Sequence, residues 1–147
     1  MNRSILIASD HAGFDLKTSI QKLLKEFQWS DLGPQSDERV DYPDFAEKLS
    51  RKIVAGEAEF GVLICGSGIG MCIAANKING IRAALVENPV AARLSREHND
   101  ANVLCLGARF LAAEYAAELI RTWISTPFSG DSRHQARVQK ISKLEGR

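Results

Sequence analysis

The chain has 147 residues, 45% of them apolar and 25% charged, with a formal net charge of +1. That length can bury a sizeable core without disulfides or metal, and the near-neutral balance excludes a protein built mainly to hold nucleic acid or an acidic membrane surface. No apolar run approaches membrane-spanning length, and the N-terminus enters a strand pattern directly, so neither a membrane span nor a signal peptide is expected.

The elements follow in chain order. Ser4-Ile5-Leu6-Ile7-Ala8 is a short apolar run, the mark of a buried strand. Leu16, Ile20, Leu23, Leu24 and Phe27 then recur at helical spacing. Trp29 to Leu32 reads as a weak strand closed by Gly33-Pro34. Tyr42-Pro43 opens a helix whose Phe45, Leu49 and Ile53 share a face, and Gly56 ends it. Phe60 to Ile64 is the third strand. A glycine loop follows, and Met71 to Lys77 reads as helix. Ile81 to Val86 is a fourth strand, and Asn88-Pro89 starts a helix through about His98, with proline at a favoured first-turn position. Val103 to Leu106 is the fifth strand. Ala116, Leu119, Ile120, Trp123 and Ile124 stripe a long helix. Pro127 to Asp131 breaks it, and a last helix runs from Ser132 to about Leu144.

Strand–helix alternation with continuously apolar strands predicts a five-stranded parallel sheet covered on both faces, a three-layer α/β/α sandwich. The chain reads as one domain over 1–147, without repeat or linker. In such sheets ligands sit beyond the carboxyl ends of the strands. Polar groups collect there: Ser9-Asp10-His11 after the first strand, Cys65 and its glycines after the third, Glu87-Asn88 after the fourth and Arg109 after the fifth.

Cys65-Gly66-Ser67-Gly68-Ile69-Gly70 carries the most information. A buried strand, a glycine turn and a helix start are the parts of an anion site, because free N–H groups point at the ligand. A thiol at that position can be shifted towards thiolate and serve as base or nucleophile. The bland alternative is a glycine turn with a small buried hydrophobe. The spacing is neither a Walker A loop nor a good dinucleotide fingerprint, since Met71 stands where the third glycine should be, although Glu87 lies roughly twenty residues on. The three cysteines, Cys65, Cys72 and Cys105, are odd in number and lack metal-type pairing, which points to free thiols in a reducing, cytoplasmic setting. On the last helix Arg133 and Arg137 are four apart, so they share a face beside His134. Guanidinium forks suit phosphate oxygens, and a solvated basic face is the plainer alternative. Val138, Ile141 and Leu144 give that helix an apolar stripe. Ser95 to Asp100 is a second polar cluster, in which His98 and Asn99 each also read as helix-end residues.

Taken together these stretches resemble one family. Ser9-Asp10-His11-Ala12-Gly13-Phe14, Asp41-Tyr42-Pro43, Cys65 to Gly70, Ile73-Ala74-Ala75-Asn76-Lys77, Gly80-Ile81-Arg82-Ala83, Ser95-Arg96-Glu97-His98-Asn99-Asp100 and Arg133-His134-Gln135-Ala136-Arg137-Val138 are similar, in order, to the motifs of type B ribose-5-phosphate isomerases, a family that includes galactose-6-phosphate isomerase subunits. The resemblance implies a Rossmann-like sandwich without nucleotide binding, and homodimers or dimers of dimers with shared active sites. It implies Cys65 as the proton-abstracting base, with Met71 replacing the glutamate that serves as base in another branch. By the same resemblance Ser67, Gly68, Ile69 and Gly70 form an anion hole, with Gly66 in the same loop. Asp10 and His98 act in ring opening, and Ser67 relays a proton. Asn99 helps hold the enediolate. His11, Arg109, Arg133 and Arg137 surround the phosphate, and Tyr42 lines the pocket. His98, Asn99 and Arg109 come from the partner subunit. The implied reaction is ribose 5-phosphate to ribulose 5-phosphate through a cis-enediolate, with no cofactor and no metal. A six-carbon substrate such as allose or galactose 6-phosphate, and a nucleotide-binding regulatory domain, are the rival expectations.

Overall fold

The computed structural model describes residues 4–146; both ends of the expected 1–147 domain, positions 1–3 and 147, lie outside the described residues. The order is β1 (Ser4–Ser9), α1 (Phe14–Leu23), β2 (Gln28–Asp31), α2 (Tyr42–Val54), β3 (Phe60–Cys65), α3 (Ile69–Ala75), β4 (Ala83–Leu85), α4 (Pro89–Asn99), β5 (Val103–Gly107), α5 (Ala113–Ser125) and α6 (Ser132–Lys143). The strands form one parallel sheet in the order β2-β1-β3-β5-β4. The chain steps from β1 outward to β2, then returns to the other side of β1 for β3. The β1–β3 boundary is therefore the place where the connections diverge and leave a crevice at the carboxyl ends.

Alternate residues of each strand feed two cores. Ile5, Ile7, Val62, Ile64, Leu104 and Leu106 face α1, α4 and α5, whose Ile20, Ala92 and Trp123 are fully buried. Leu6, Ala8, Leu63, Cys65, Val103 and Cys105 face α2 and α3, with Leu49 and Met71 fully buried. Burying side chains of this size contributes about 1.5–3 kcal/mol each, so both faces must be covered. These are the three expected layers.

Where element ends differ from the sequence expectation, hydrogen bonds decide. β4 is shorter than Ile81 to Val86 because the Ile81 N–H goes to the Ile78 carbonyl and the Arg82 N–H to Asn102 Oδ1 at 2.8 Å, leaving three residues in the ladder. α3 starts at Ile69, two residues before the expected Met71, and stops at Ala75. There Asn76 Nδ2 donates to the carbonyls of Cys72 and Ala83. Leu23 fits the helical period but is 41% exposed, because α1 ends there and Leu24 turns inward instead. The apolar stripe expected on α6 is not buried within the chain. Its buried residue is His134, while Ile141 is 40% and Leu144 87% exposed.

One buried cation organises the approach to the crevice. Lys17 is 1% exposed and donates to Asp31 Oδ1 at 2.8 Å and to the Pro34 carbonyl at 2.7 Å. Asp31 Oδ1 also accepts the Gly33 N–H at 2.8 Å, which ties α1, the end of β2 and the following loop into one unit. Lys17→Met leaves Asp31 and the Pro34 carbonyl short of a donor. It is expected to destabilise the fold by about 2–4 kcal/mol, less than a fully enclosed pair because Asp31 stays partly wet. Urea unfolding reads this as a lower midpoint with an unchanged slope.

Candidate active site

The carboxyl ends of β1 and β3 build the first half of the site. The Asp10 N–H donates to the Ile64 carbonyl at 3.1 Å, so the residue after β1 continues the ladder to β3. Asp10 is 6% exposed, and its Oδ1 accepts the Gly13 N–H at 3.0 Å. Gly13 packs so tightly that a Cβ there would sit 2.5 Å from the Ile64 carbonyl oxygen. This close packing is what lets the turn after β1 pass beside β3.

Cys65 ends β3 and is 4% exposed. The Gly68 N–H donates to its Sγ at 3.1 Å, so the loop curls a backbone donor onto the thiol. That curl needs Gly68 in the left-handed region, at φ 75°, where a Cβ would also press on the Leu106 carbonyl carbon at 2.8 Å. The Ile69 N–H turns to Ser67 Oγ at 3.3 Å. The Ala108 and Arg109 N–H groups bond the Cys65 and Gly66 carbonyls at 2.9 and 3.0 Å, strapping the loop to the end of β5.

Arg109 and Tyr42 cover this loop from either side. The Arg109 guanidinium carbon lies 2.8 Å from where a Gly66 Cβ would be, and the Tyr42 ring 2.6 Å from a Gly70 Cβ. Arg109 thus stands over its own chain's loop. The reason is connectivity, since Arg109 follows β5 directly and β5 pairs with β3. His11, half-buried, shares its Nδ1 with the Val40 backbone at 3.2 and 3.3 Å, so it latches the 33–41 loop. Asp10, His11, Arg39, Asp41 and Tyr42 line a cleft of about 490 Å³ beside the glycine loop. Arg39 was not singled out from the sequence. Nothing in its local pattern marks it, and only the latch brings it to the cleft.

His98, Asn99, Arg133 and Arg137 are elsewhere. α4 runs back from the end of β4 to the start of β5, so its last residues lie at the amino-terminal rim of the sheet. With a five-residue β5, that is about 15 Å or more from the rim that carries Cys65. α6 begins at that same far rim: the Ser129 N–H bonds the Glu97 carbonyl at 3.1 Å, and the His134 ring centroid is 4.2 Å from that of His98. Arg133, Arg137 and Asn99 are exposed. The polar cluster from Ser95 to Asp100 therefore divides. Arg96 is buried, bonded to Asp100 Oδ1, the Ala101 carbonyl and the Thr126 carbonyl, and lies 4.9 Å over the Phe60 ring. Its role is structural, whereas His98 is half-buried and Asn99 exposed. Glu87, the acidic residue a dinucleotide site would use, is exposed.

A parallel α/β sandwich with a thiol and a strapped glycine loop at its switch point is the layout of a small-molecule enzyme. The family model described as Ribose/Galactose Isomerase matches residues 5–141. The chain is 42% identical to ribose-5-phosphate isomerase B of Escherichia coli strain K12, over 99% of this chain and 98% of that protein. The solved structure of the type B ribose 5-phosphate isomerase of Trypanosoma brucei superposes with a TM-score of 0.94 at 47% identity, covering 98% of this chain and 99% of that one. Ribose-5-phosphate isomerase B from Mycoplasma genitalium, solved with bound ribulose-5-phosphate, gives 0.91 at 43% identity, covering 99% and 98%. The chain belongs to the ribose/galactose isomerase family.

A second thiol lies close behind the loop. Cys72 is half-buried on α3, with its Sγ 3.5 Å from the Ala83 carbonyl. A hydrogen bond from the Cys105 thiol holds the Cys72 pKa down to about 7, against the opposing effect of burial, and Leu85 and Asn76 donors add to it. Iodoacetamide attacks thiolate, so its rate at Cys72 is expected to rise through a midpoint near pH 7. Peptide mapping of the alkylated protein checks this, and labelling of Cys72 that shows no inflection between pH 5 and 8.5 contradicts it.

Proposed function

We propose that this chain interconverts D-ribose 5-phosphate and D-ribulose 5-phosphate through a cis-enediolate, with Cys65 as the base. The observation that carries the reading is the Gly68 N–H on Cys65 Sγ at 3.1 Å, at the end of a strand whose neighbour delivers the buried Asp10. The activities named for the relatives support the substrate.

The furanose must open first, which needs an acid and a base near the ring oxygen. His98 and Asp10 take these parts. Cys65 then removes the C2 proton and returns it to C1. A carbon acid beside a carbonyl is weak, so the oxyanion of the enediolate needs donors; the amides of Ser67 and Gly70 supply them, joined by those of Gly68 and Ile69 once these leave Cys65 Sγ and Ser67 Oγ. Ser67 relays the proton between the two oxygens, and Asn99 supports the enediolate. The phosphate binds to His11, Arg109, Arg133 and Arg137, and this remote binding positions the reacting carbons. Tyr42 walls the sugar. Each step moves protons within the substrate and these side chains, so no cofactor or metal takes part.

The two rims require two copies of the chain. His98 and Asn99 cannot approach their own Cys65 across the sheet, so a neighbouring subunit supplies them, with Arg133 and Arg137 from the same rim. A two-fold homodimer builds two such sites, and a dimer of dimers repeats them. The unburied stripe on α6, from Ile141 to Leu144, packs on that neighbour.

The direct test is a panel of aldose phosphates. Wild-type kcat/KM is expected to be highest for ribose 5-phosphate and lower for allose 6-phosphate and galactose 6-phosphate; the reverse order overturns the five-carbon assignment. In Cys65→Ala, deuterium exchange at C2 is expected to fall by about 10²–10⁴-fold, the usual contribution of a general base, with substrate affinity near wild type. Exchange at the wild-type rate removes Cys65 from that role.

Subunit mixing tests the shared site. Cys65→Ala and His98→Ala, each inactive alone, form heterodimers in which one site carries both lesions and the other neither. Random pairing makes about half the dimers mixed, so roughly a quarter of wild-type activity is expected to return. Proven exchange with no recovery would place His98 outside the neighbour's site.

A further inference from the structure

His134 is the buried residue of α6, 4% exposed between two exposed arginines. Burying a histidine on a helix that is otherwise largely solvated costs free energy unless its polar atoms are matched. They are matched on one side: Ser129 Oγ lies 2.8 Å from His134 Nδ1. Ser129 is itself fixed, because its N–H bonds the Glu97 carbonyl at 3.1 Å and its Oγ accepts the Asp131 N–H at 3.2 Å. With that acceptor position filled, the hydroxyl can donate its own proton to Nδ1, which leaves the His134 proton on Nε2. On its other side His134 faces His98. The ring centroids are 4.2 Å apart and the planes inclined by 36°. A closed loop results, from Glu97 through Ser129 and His134 back to His98, the residue next to Glu97.

We infer that His134 is a positioning residue for His98, its ring forming the surface that fixes the plane of the His98 imidazole. The inference rests on the proposed role of His98 in ring opening. His98 is half-buried on the last turn of α4, and among the described residues no hydrogen bond to its ring competes with this contact. A lone imidazole at a helix end can rotate about two bonds. A ring packed against its face leaves one orientation, which is what proton transfer to a bound sugar needs. Charge favours the same arrangement. Burial, then His98 and Arg133, hold His134 below the usual histidine range, with Arg137 adding to the effect and Asp131 opposing it. His134 therefore stays neutral near pH 7 and does not repel a proton arriving on His98.

The test compares His134→Ala, His134→Phe and Ser129→Ala. His134→Ala is expected to lower kcat for ribose 5-phosphate by about 10–100-fold, the scale of a misplaced catalytic group, with KM changed less than about threefold. His134→Phe restores the ring face without the polar atoms and recovers most of kcat. Ser129→Ala, a mild change at an exposed turn, gives an intermediate loss. Carbon-13 relaxation of the His98 ring, measured without substrate, separates this from any fault in the functional reading. The ring is expected to be rigid in wild type and in His134→Phe, and mobile in His134→Ala. A wild-type kcat in His134→Ala, a loss confined to KM, or a His134→Phe variant no better than alanine would overturn the inference. Should His134→Ala fail to fold, equal His98 mobility in wild type and Ser129→Ala, with no loss of kcat, would overturn it as well. An inactive wild type would refute the isomerase reading alone, and the relaxation data would still report whether the pair is rigid.

Discussion

Because all five strands run in one direction, each helix must carry the chain back across the sheet before the next strand begins. Residues that end strands therefore gather on one rim, and residues that end helices gather on the other. Asp10, Cys65 and Arg109 are of the first kind; His98 and Asn99 are of the second. No side-chain rotation closes a gap set by the length of a strand. The candidate chemistry is thus divided by the backbone itself, and two-fold pairing of chains is the simplest way to reunite it.

Each half is then held rigid by a different device. At the carboxyl rim the contacts are backbone to backbone, with Gly13 against Ile64 and the Ala108 and Arg109 amides on the carbonyls of Cys65 and Gly66. At the other rim the device is a buried cation. Arg96 stacks over Phe60 and Trp123 and binds Asp100, which takes the left-handed conformation at φ 47° to end α4. Arg82 holds the other oxygen of Asp100. A non-glycine residue in that region is uncommon, and here two guanidinium groups hold it there. The His98–Asn99 pair sits immediately before this clamp, so its place depends on residues that do no chemistry.

Composition and local pattern were enough for much of this. Alternating apolar strands and helical stripes fixed the three layers, since a sheet hydrophobic on both faces must be covered on both. The glycine loop was legible because its residue types have few other uses beside a buried strand and a cysteine. Family motifs in register named the candidate residues. Short-range features such as the proline opening α4 and the break before α6 also needed no tertiary information.

What the pattern left open was every relation between distant segments. Strand order depends on which crossover lies on which face, and no window of sequence holds that. Arg109 reaches its own loop because β5 pairs with β3, a contact across more than forty positions. Arg96 and His98 belong to one polar cluster in the sequence, yet one is a buried clamp and the other a half-buried imidazole, because only Arg96 reaches Trp123 of α5 and the Thr126 carbonyl after it. The latch of His11 on Val40, and the His134 ring against His98, join segments 29 and 36 positions apart. Local propensity acts over a few residues, so the sequence alone determined the elements and the chemical inventory. The packing of the sheet decided which of those groups could meet within one chain.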